Sequence, residues 1–548
     1  MARRRYMTGG SAGKTGLPNR PVTRGTALPS TITTTIPAPV RGLNAQDNLV
    51  AMAPDTAITL SNFIARPFGC ETRTGSQQHA TGMTGDVNSL MAFNGVTVAN
   101  NKMFAAAGSV IYDVTTISAA PASVQTGLNS SFWEHTNFTT PGGHYLVACS
   151  GVDAPRLYNG TTWVSFSQQA SPANPGEVSG VDPNTFSNVS MHKLRLWFTQ
   201  VNSTAAYYLP INSVGGTATK FDLGPYLPRG GYLVSLATWT IDGGSGLDDL
   251  FVAISSEGDV AVFKGTDPSS SANWSLVGIW QLAPPIGKRC THRFGGDLLY
   301  LSRDGLEIMS KYLQSDRLDS ATAISNTIAQ TFSDLITSHG SLQGWQLIRH
   351  PIENLLILNI PTGYASGSLQ YVYNTVTDGW SSFVGWDARC WAVQNNQIYY
   401  GSVGTVVRAF TGFTDNADFD GLNGIPYRAM AQQAFNYFGK TGQRKQFKMV
   451  RLTTTSNATP QITVGINTDF DFSINATSIA TNPQNGAISR WGTAVWGTSF
   501  FTRDIQTVQQ WQPIQGVGYA SSIVVIIDVI AKTTWASTDW IIEMAGVM

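Results

Sequence analysis

The residues that could hold a phosphate lie near the start of the chain. Gly13-Lys14-Thr15 matches the end of a phosphate-binding loop, in which backbone N–H groups wrap a phosphate and the lysine reaches it. The motif also needs a glycine at position 8, where the chain has Thr8, and it should follow a buried strand and open a helix. We therefore predict no nucleotide site and no cofactor, and we interpret the stretch as part of a polar arm.

An oxygen-rich stretch near residue 418 is the strongest candidate for binding a metal ion. Asp415, Asp418 and Asp420 resemble the first half of a calcium-binding loop, in which carboxylates at alternate positions surround the ion. The bidentate acid at the twelfth position is missing, because Tyr427 stands there. Two alternatives stay open at this point: calcium held in a loop of another form, and a solvated turn.

The remaining chemistry-bearing residues do not form a catalytic pattern. Ser302 to Gly305 approaches the S-x-D-x-G-x-x-W box of sialidase-like propellers, but the glycine comes one residue early and no tryptophan follows, so a tight Asp-Gly hairpin turn is the better interpretation. The histidines lack metal-site spacing; they are His79, His135, His144, His192, His292, His339 and His350. The sequence therefore predicts neither a catalytic site nor an enzyme.

Charge is distributed unevenly along the chain. Residues 1–46 contain seven basic residues and no acidic residue, whereas the rest of the chain contains 27 basic and 34 acidic residues. The basic residues are Arg3, Arg4, Arg5, Lys14, Arg20, Arg24 and Arg41. We predict that residues 1–40 form a flexible basic arm that docks on an acidic partner surface; the alternative is a solvated terminus that binds nothing.

Composition indicates a β-rich subunit of a large assembly. Only 12% of residues are charged and 54 are glycine, whereas a free monomer needs surface charge to stay soluble. We expect the four cysteines to be free and buried, with a disulfide as the alternative. The apolar run at 523–527 is too short to span a bilayer, and no secretory signal is apparent. We therefore expect a soluble protein made in a cytoplasm.

Seven segments read as β-hairpins, because short alternating runs flank turns rich in Gly, Asn, Asp or Ser. Their turns are spaced by about 40 to 60 residues, the period of a propeller blade, and they centre near residues 108, 151, 203, 258, 305, 365 and 404. The pattern predicts an all-β fold with a propeller of six or seven blades over residues 41–435; a pair of β-sandwiches is the rival. We expect Trp163, Trp274 and Trp380, which follow hairpins, to pack between blades.

Two further elements are predicted outside this repeat. In residues 320–340, apolar side chains recur on one helical face; they are Ile324, Ile328, Phe332, Leu335 and Ile336. This pattern predicts a helix on the side of the propeller, with Ser320 and Gly340 as caps. The repeat stops near residue 430, so residues 436–548 are predicted to be a separate, sandwich-like β-domain.

Residues 37–82 resemble the opening of the nozzle proteins, or tail tubular protein B, of short-tailed bacteriophages. Segments 195–216, 295–310 and 374–386 are similar to the same group, and the likeness spans much of residues 37–440. The matching positions of the opening are Gly42-Leu43-Asn44, Asp47, Met52-Ala53-Pro54, Leu60-Ser61-Asn62 and Arg73-Thr74-Gly75. The basic residues 1–36 depart from the usual short start of the family.

The resemblance implies a structural virion protein rather than an enzyme. It implies a propeller-based subunit of a six-membered ring in the phage tail, next to portal, adaptor and tail-fibre proteins, through which genomic DNA passes during ejection. The negative balance of residues 47–548 suits such a conduit, because acidic walls let a duplex slide. The alternative function is a carbohydrate-binding or glycan-cleaving propeller of the tail-spike type, which predicts an exposed aromatic cluster at the propeller mouth.

Overall fold

The computed structural model describes residues 31–240, 249–314, 323–363, 367–458, 460–472, 476–479 and 506–544, and β-strands dominate them. Five strands precede the first complete blade. They are β1 (Thr31–Pro37), β2 (Ala57–Ser61), β3 (Phe63–Arg66), β4 (Gly69–Thr72) and β5 (Ser76–Ala80). β1 and β4 pair with the last described strand of the chain, β2 pairs with two strands that begin after residue 378, β3 pairs with β4, and β5 enters the propeller.

The first three blades are antiparallel sheets of four strands. Blade 1 contains β6 (Val87–Phe93), β7 (Lys102–Ala107), β8 (Val110–Asp113) and β9 (Ala122–Gln125). Blade 2 contains β10 (Glu134–Thr140), β11 (Gly143–Cys149), β12 (Arg156–Tyr158) and β13 (Trp163–Ser165). After β14 (Ser167–Gln168) and β15 (Glu177–Ser179), blade 3 contains β16 (Phe186–His192), β17 (Arg195–Gln200), β18 (Ala205–Tyr208) and β20 (Thr219–Asp222). The short β19 (Gly216–Thr217) pairs in parallel with β15, which pairs with β14.

Blades 4 to 6 follow, with two helices before blade 6. Blade 4 contains β21 (Leu233–Trp239), β22 (Leu250–Ser255), β23 (Asp259–Gly265) and β24 (Trp274–Gln281). Blade 5 contains β25 (Thr291–Phe294), β26 (Asp297–Ser302) and β27 (Gly305–Ile308) and leads into helices α1 (Met309–Gln314) and α2 (Ala329–His339). Blade 6 contains β28 (Gln346–Arg349), β29 (Leu355–Pro361), β30 (Ser368–Asn374) and β31 (Gly379–Phe383). Within the described residues, short 3-10 helices lie at Val98–Asn100, Pro183–Thr185, Gly224–Tyr226 and Asn326–Ile328.

Blade 7 closes the ring with a strand from the other end of the propeller. Its own strands are β32 (Cys390–Gln394), β33 (Gln397–Gly401) and β34 (Val406–Ala409), and β5 adds antiparallel to β34 as the fourth. The first strands of neighbouring blades contact one another all the way round, from β6 through β10, β16, β21, β25, β28 and β32 back to β6. The predicted all-β propeller is therefore confirmed, and it has seven blades.

The predicted hairpins lie where the pattern places them, whereas the helix predicted for residues 320–340 is shorter: α2 begins at Ala329, after a 3-10 turn at Asn326–Ile328. Each of the seven predicted turns connects the second and third strands of one blade. At the turn of blade 4, Gly258 has φ +86°, and a Cβ there would lie 2.4 Å from the Leu282 carbonyl oxygen, so only glycine fits. Within the predicted helix, Ile328 and Phe332 are buried, while Ser320 lies outside the described residues.

Apolar side chains fill the spaces between blades, as propeller packing requires. Trp163 meets Phe104 of blade 1 edge-on at 4.9 Å, and Trp274 stacks at 5.9 Å on Trp197 of blade 3. Both tryptophans lie on fourth strands, so the prediction that they pack between blades is confirmed. Trp380 instead joins a larger core shared by blades 4, 5 and 6 and the C-terminal strands, and its Nε1 donates to the carbonyl of Ile324.

The strands after residue 427 form two packed sheets together with the N-terminal strands. They are β35 (Arg428–Gln433), β36 (Lys445–Ser456), β37 (Gln461–Thr468), β38 (Ala476–Ile479), β39 (Gln506–Gly518), β40 (Ser521–Asp528) and β41 (Thr533–Met544). One sheet has the order β3-β4-β41-β36-β39, with β1 also on β41; the other continues β31 of blade 6 into β2-β35-β40-β37-β38. The sandwich is therefore continuous with the propeller through the edge of blade 6.

This pairing differs from the predicted domain boundaries. Residues 31–37, predicted to be part of a flexible arm, form a strand of the sandwich, and residues 57–72, predicted to open the propeller, form three more. The prediction was wrong for these residues because strand pairing between the two ends of a chain leaves no local pattern: β1 contacts residues about 500 positions away.

Candidate functional site

A cavity of about 730 Å³ opens on the propeller axis. Its walls come from the segments that enter the first strands of blades 2 to 6 and from the turns between second and third strands of blades 2 to 5. Because first strands surround the axis of a propeller, these segments all meet at one end of it. We call this cavity the axial cup; its charged lining residues are Glu134, Glu257, Lys288, Arg289 and Arg303.

Arg289 lies across the axis. From the segment before blade 5, its guanidinium group donates to Glu134 Oε1 at 2.8 Å, to Ser89 Oγ at 3.0 Å and to the Trp133 carbonyl at 3.2 Å. A further donation, at 3.3 Å, reaches Gln346 Oε1. One side chain thus connects blade 5 to blades 1, 2 and 6, and it closes the inner end of the axial cup.

Lys288 faces the cup with a different set of partners. Its Nζ donates to the carbonyl oxygens of Ser187 at 3.1 Å and Ser150 at 3.4 Å, in blades 3 and 2. The residue is exposed at the opening, but its ammonium group lies inward against these carbonyls. Burial of that group lowers the pKa of Lys288 below its ordinary value, while Glu134 opposes the shift. Among the described residues no carboxylate oxygen lies within 4 Å of this ammonium group.

The cup has the chemistry of a binding site. Its lining contains no histidine, cysteine or aspartate, and one of its two carboxylates, Glu134, is held by Arg289. Phe132 and Tyr232 reach the lining from the segments before blades 2 and 4, while Trp345 is buried behind it. A second cavity of about 420 Å³ shares Phe132 with the cup and extends towards blades 6, 7 and 1.

The structure separates the three candidate calcium ligands, Asp415, Asp418 and Asp420, for which a solvated turn was the alternative. Asp415 is buried, and both of its oxygens bind the guanidinium group of Arg73, at 2.8 and 2.6 Å. Asp418 instead accepts from the backbone N–H of Leu422 and from the side chain of Asn423, while Asp420 is exposed. Across the described ranges no group of three His, Cys, Asp or Glu side chains is placed to hold a metal ion, so the predicted cluster does not form.

The Arg73–Asp415 pair is a buried ion pair whose guanidinium N–H groups all have acceptors. Arg73 is fully buried, and its five N–H groups donate to Asn62 Oδ1, to the carbonyls of Thr74 and Val384, and to both oxygens of Asp415. Its guanidinium carbon also lies 3.8 Å from the ring centre of Tyr427 and 4.5 Å from that of Trp386. This cluster joins the start of β5, the edge of blade 6 and the entry to β35.

The other predicted residues fall into two groups. Of the basic arm, Arg41 is exposed, and the six others lie outside the described residues together with the phosphate-loop-like stretch. All four cysteines are free and buried, as predicted, and burial raises the pKa of Cys290 and of Cys390 to about 12. Within the described part of the chain, no helix is long and apolar enough to cross a membrane.

No protein-family model and no curated protein sequence matches this chain. Solved structures do match, among them the β-propeller domain of Cps50 (Swd1) from Myceliophteria thermophila, with 10% identity over 61% of this chain and 99% of that chain, at a TM-score of 0.36. YCF48 bound to D1 peptide matches with 13% identity over 62% of this chain and 96% of that chain, at a TM-score of 0.33. Sqt1 of Saccharomyces cerevisiae matches with 13% identity over 62% of this chain and 82% of that chain, at a TM-score of 0.34. At TM-scores below 0.5 these matches add nothing to the propeller that the strand pairing of this chain shows.

Proposed function

We propose that this protein is a structural subunit of a tail nozzle of a short-tailed bacteriophage, in which six copies form a ring around the path of the ejected genome. The proposal combines the resemblance of residues 37–82 to nozzle proteins with a surface that suits contact between subunits. The protein would then reside in the virion tail, bound to portal or adaptor proteins and to tail fibres, and would carry out no catalysis.

The structural feature that best supports assembly into a ring is the unpaired outer edge of blade 4. β24 has eight residues and pairs only with β23 among the described strands. Leu276, Val277 and Ile279 are exposed by 41, 51 and 37%, and residues 268–287 contain no charged side chain. Free sheet edges are normally protected by charge, proline or short length.

The outer strands of the other early blades have that protection. β9 and β13 have four and three residues, and the four-residue β20 carries an exposed Lys220–Asp222 ion pair. An uncharged, apolar edge twice as long is best explained by a second chain that covers it. In a ring, each subunit contacts the next through two different surfaces, and β24 would supply one of them.

The position of Arg289 bears on where DNA would travel. Its side chain reaches from blade 5 to blades 1, 2 and 6 and so lies in the path along the axis of a single copy. A conduit built from this chain would therefore lie between copies and not through any one propeller. Contact with the passing duplex would then fall on surfaces that face the ring centre.

Negative-stain imaging and light scattering of the purified protein test the proposal. We expect closed rings with a central channel, and we expect Val277→Lys to dissociate them because it places a charge on the apolar edge. Val376→Lys is the matched control, since Val376 is also an exposed valine, at 57%, but lies on the turn between β30 and β31.

Two results would contradict the proposal. Monomers at micromolar concentration that bind a polysaccharide would favour the glycan-binding alternative. Rings that form equally well with Val277→Lys would remove β24 from the interface.

A further inference from the structure

We propose that the axial cup binds an extended acidic peptide of a partner protein, with a side-chain carboxylate seated on the ammonium group of Lys288. This inference concerns a different surface from the edge of blade 4. It does not depend on ring formation.

Lys288 holds its ammonium group against neutral carbonyl oxygens, with no carboxylate within 4 Å among the described residues. An ammonium group has three N–H donors, and two of them are met by neutral carbonyls. Arg289 beside it is paired with Glu134 at 2.8 Å, whereas Arg303 is exposed. A carboxylate that reached this ammonium group would accept from its third N–H and supply the opposite charge that the carbonyls do not, so a carboxylate at this position would be favoured.

The remaining charges of the cup favour a peptide over a nucleic acid. Glu134 and Glu257 also line the cavity. The phosphates of a nucleic acid would approach both carboxylates and be repelled by them. A single carboxylate between neutral residues would meet Lys288 without that repulsion. The volume of about 730 Å³ falls in the range of sites that enclose small molecules and short peptide segments.

The walls suit the residues on either side of such a carboxylate. Val152 and Val201 line the cup and are exposed by 60 and 38%, and Val234 and Leu342 lie on the same lining. A peptide in the cup would cover these aliphatic side chains, and burial of apolar surface contributes about 25 cal/mol per Å². Small apolar residues next to the acidic residue are therefore expected.

The basic N-terminal segment of the same protein is a poor occupant. Residues 1–46 contain no Asp or Glu, so a copy of that segment would bring like charge to Lys288 and Arg303. The occupant is therefore an acidic segment of another protein.

Fluorescence anisotropy with defined peptide pools tests this inference on the full-length protein. The probes are fluorescein-labelled ten-residue peptides, amidated at the C-terminus, with one Glu at position five and Ala, Gly, Ser or Val elsewhere. The matched pool has Gln at the same position, so that only the side-chain carboxylate differs. We expect the Glu pool to bind at least about tenfold more tightly than the Gln pool.

Single-residue variants test whether the preference for Glu over Gln arises in the cup. Lys288→Met should abolish it, Lys288→Arg should retain it, and Lys440→Met, at an exposed lysine of the sandwich, should leave it unchanged. The melting temperature of each variant shows that the fold is intact.

Three outcomes would overturn the inference. The first is equal binding of the two pools, or no binding of either up to about 1 mM. The second is a preference for Glu that survives Lys288→Met. The third is tighter, Lys288-dependent binding of a twelve-residue oligo-dT, which would make the cup a nucleic-acid site.

Discussion

Replacing Arg73 by methionine should be among the most destabilising single changes in this fold. Methionine fills much of the same space but provides none of the five hydrogen bonds of the guanidinium group. Asp415, whose side chain is only 4% exposed, would keep one donor, the Nε1 of Trp386 at 2.8 Å, and lose its counter-charge.

The size of the effect follows from that burial. Removing one partner of a buried ion pair costs about 3–5 kcal/mol, because the other charge is left uncompensated. Unfolding entropies of about 2.1 cal/mol/K per residue give a whole chain of this length a shift of roughly 1 °C per kcal/mol. We therefore expect the melting temperature to fall by about 3–5 °C if the chain unfolds as one unit.

A second Arg–Asp pair provides the matched control. Arg428 and Asp528 are also 2.6 Å apart, but their side chains are 73 and 41% exposed. Exposed pairs contribute about 0–1 kcal/mol, so Arg428→Met should move the melting temperature by less than about 1 °C. Differential scanning calorimetry measures both variants, and hydrogen exchange of β5 should accelerate only in Arg73→Met, since Arg73 lies just before that strand.

The double variant separates the pair from its surroundings. Asp415→Asn removes the stranded charge, so Arg73→Met/Asp415→Asn should be more stable than Arg73→Met alone. Equal melting temperatures for Arg73→Met and Arg428→Met would refute the reasoning, because burial would then not determine the strength of the pair.

Three further predictions concern acid stability, the axis and the N-terminal arm. Burial of His192 lowers its pKa to about 3, whereas the same histidine in the unfolded chain binds a proton near pH 6.5. The folded state is therefore destabilised as pH falls from about 6.5 to 3, by about 2 kcal/mol at pH 5 from this residue alone. His192→Gln should reduce the dependence of the melting temperature on pH over that range. Arg289→Met should destabilise the protein more than Arg289→Met combined with Glu134→Gln in thermal melts, and equal values would argue against the cross-axis ion pair. Deleting residues 2–30 should weaken attachment to an acidic tail neighbour in a pull-down at unchanged melting temperature, whereas deletion of 2–36 should also lower that temperature because it removes most of β1.

The propeller could be predicted because its signal is local and repeated. The turn of each blade needs Gly, Asn, Asp or Ser at a fixed place between two alternating runs, and the chain repeats that arrangement seven times. The helix was predictable for the same reason, since Ile328 and Phe332 are one turn apart and point into one core.

The sandwich and the cup could not be predicted in this way, because their parts are distant in sequence. Arg73 and Asp415 are 342 positions apart, and Arg289 and Glu134 are 155 apart. The sequence placed Asp415 in an oxygen-rich loop and left open what its carboxylate would bind. Likewise, Lys288 belongs to no recognisable sequence motif. It is a candidate ligand-binding residue because loops from five blades meet around it at the propeller axis.

The pairing of the two ends constrains when this fold can form. β1 and β2 pair only with strands that begin after residue 378, β5 pairs with β34, and β4 joins its sheet through β41. Contacts between such distant segments form late, because the intervening chain must be ordered first. A chain that lacks its last strands would therefore leave the propeller tied to an unfinished sandwich, with β1 and β4 exposing unpaired edges. If ring assembly requires the continuous sheet from blade 6 into β2 and β35, only chains whose N-terminal and C-terminal strands have both folded would assemble.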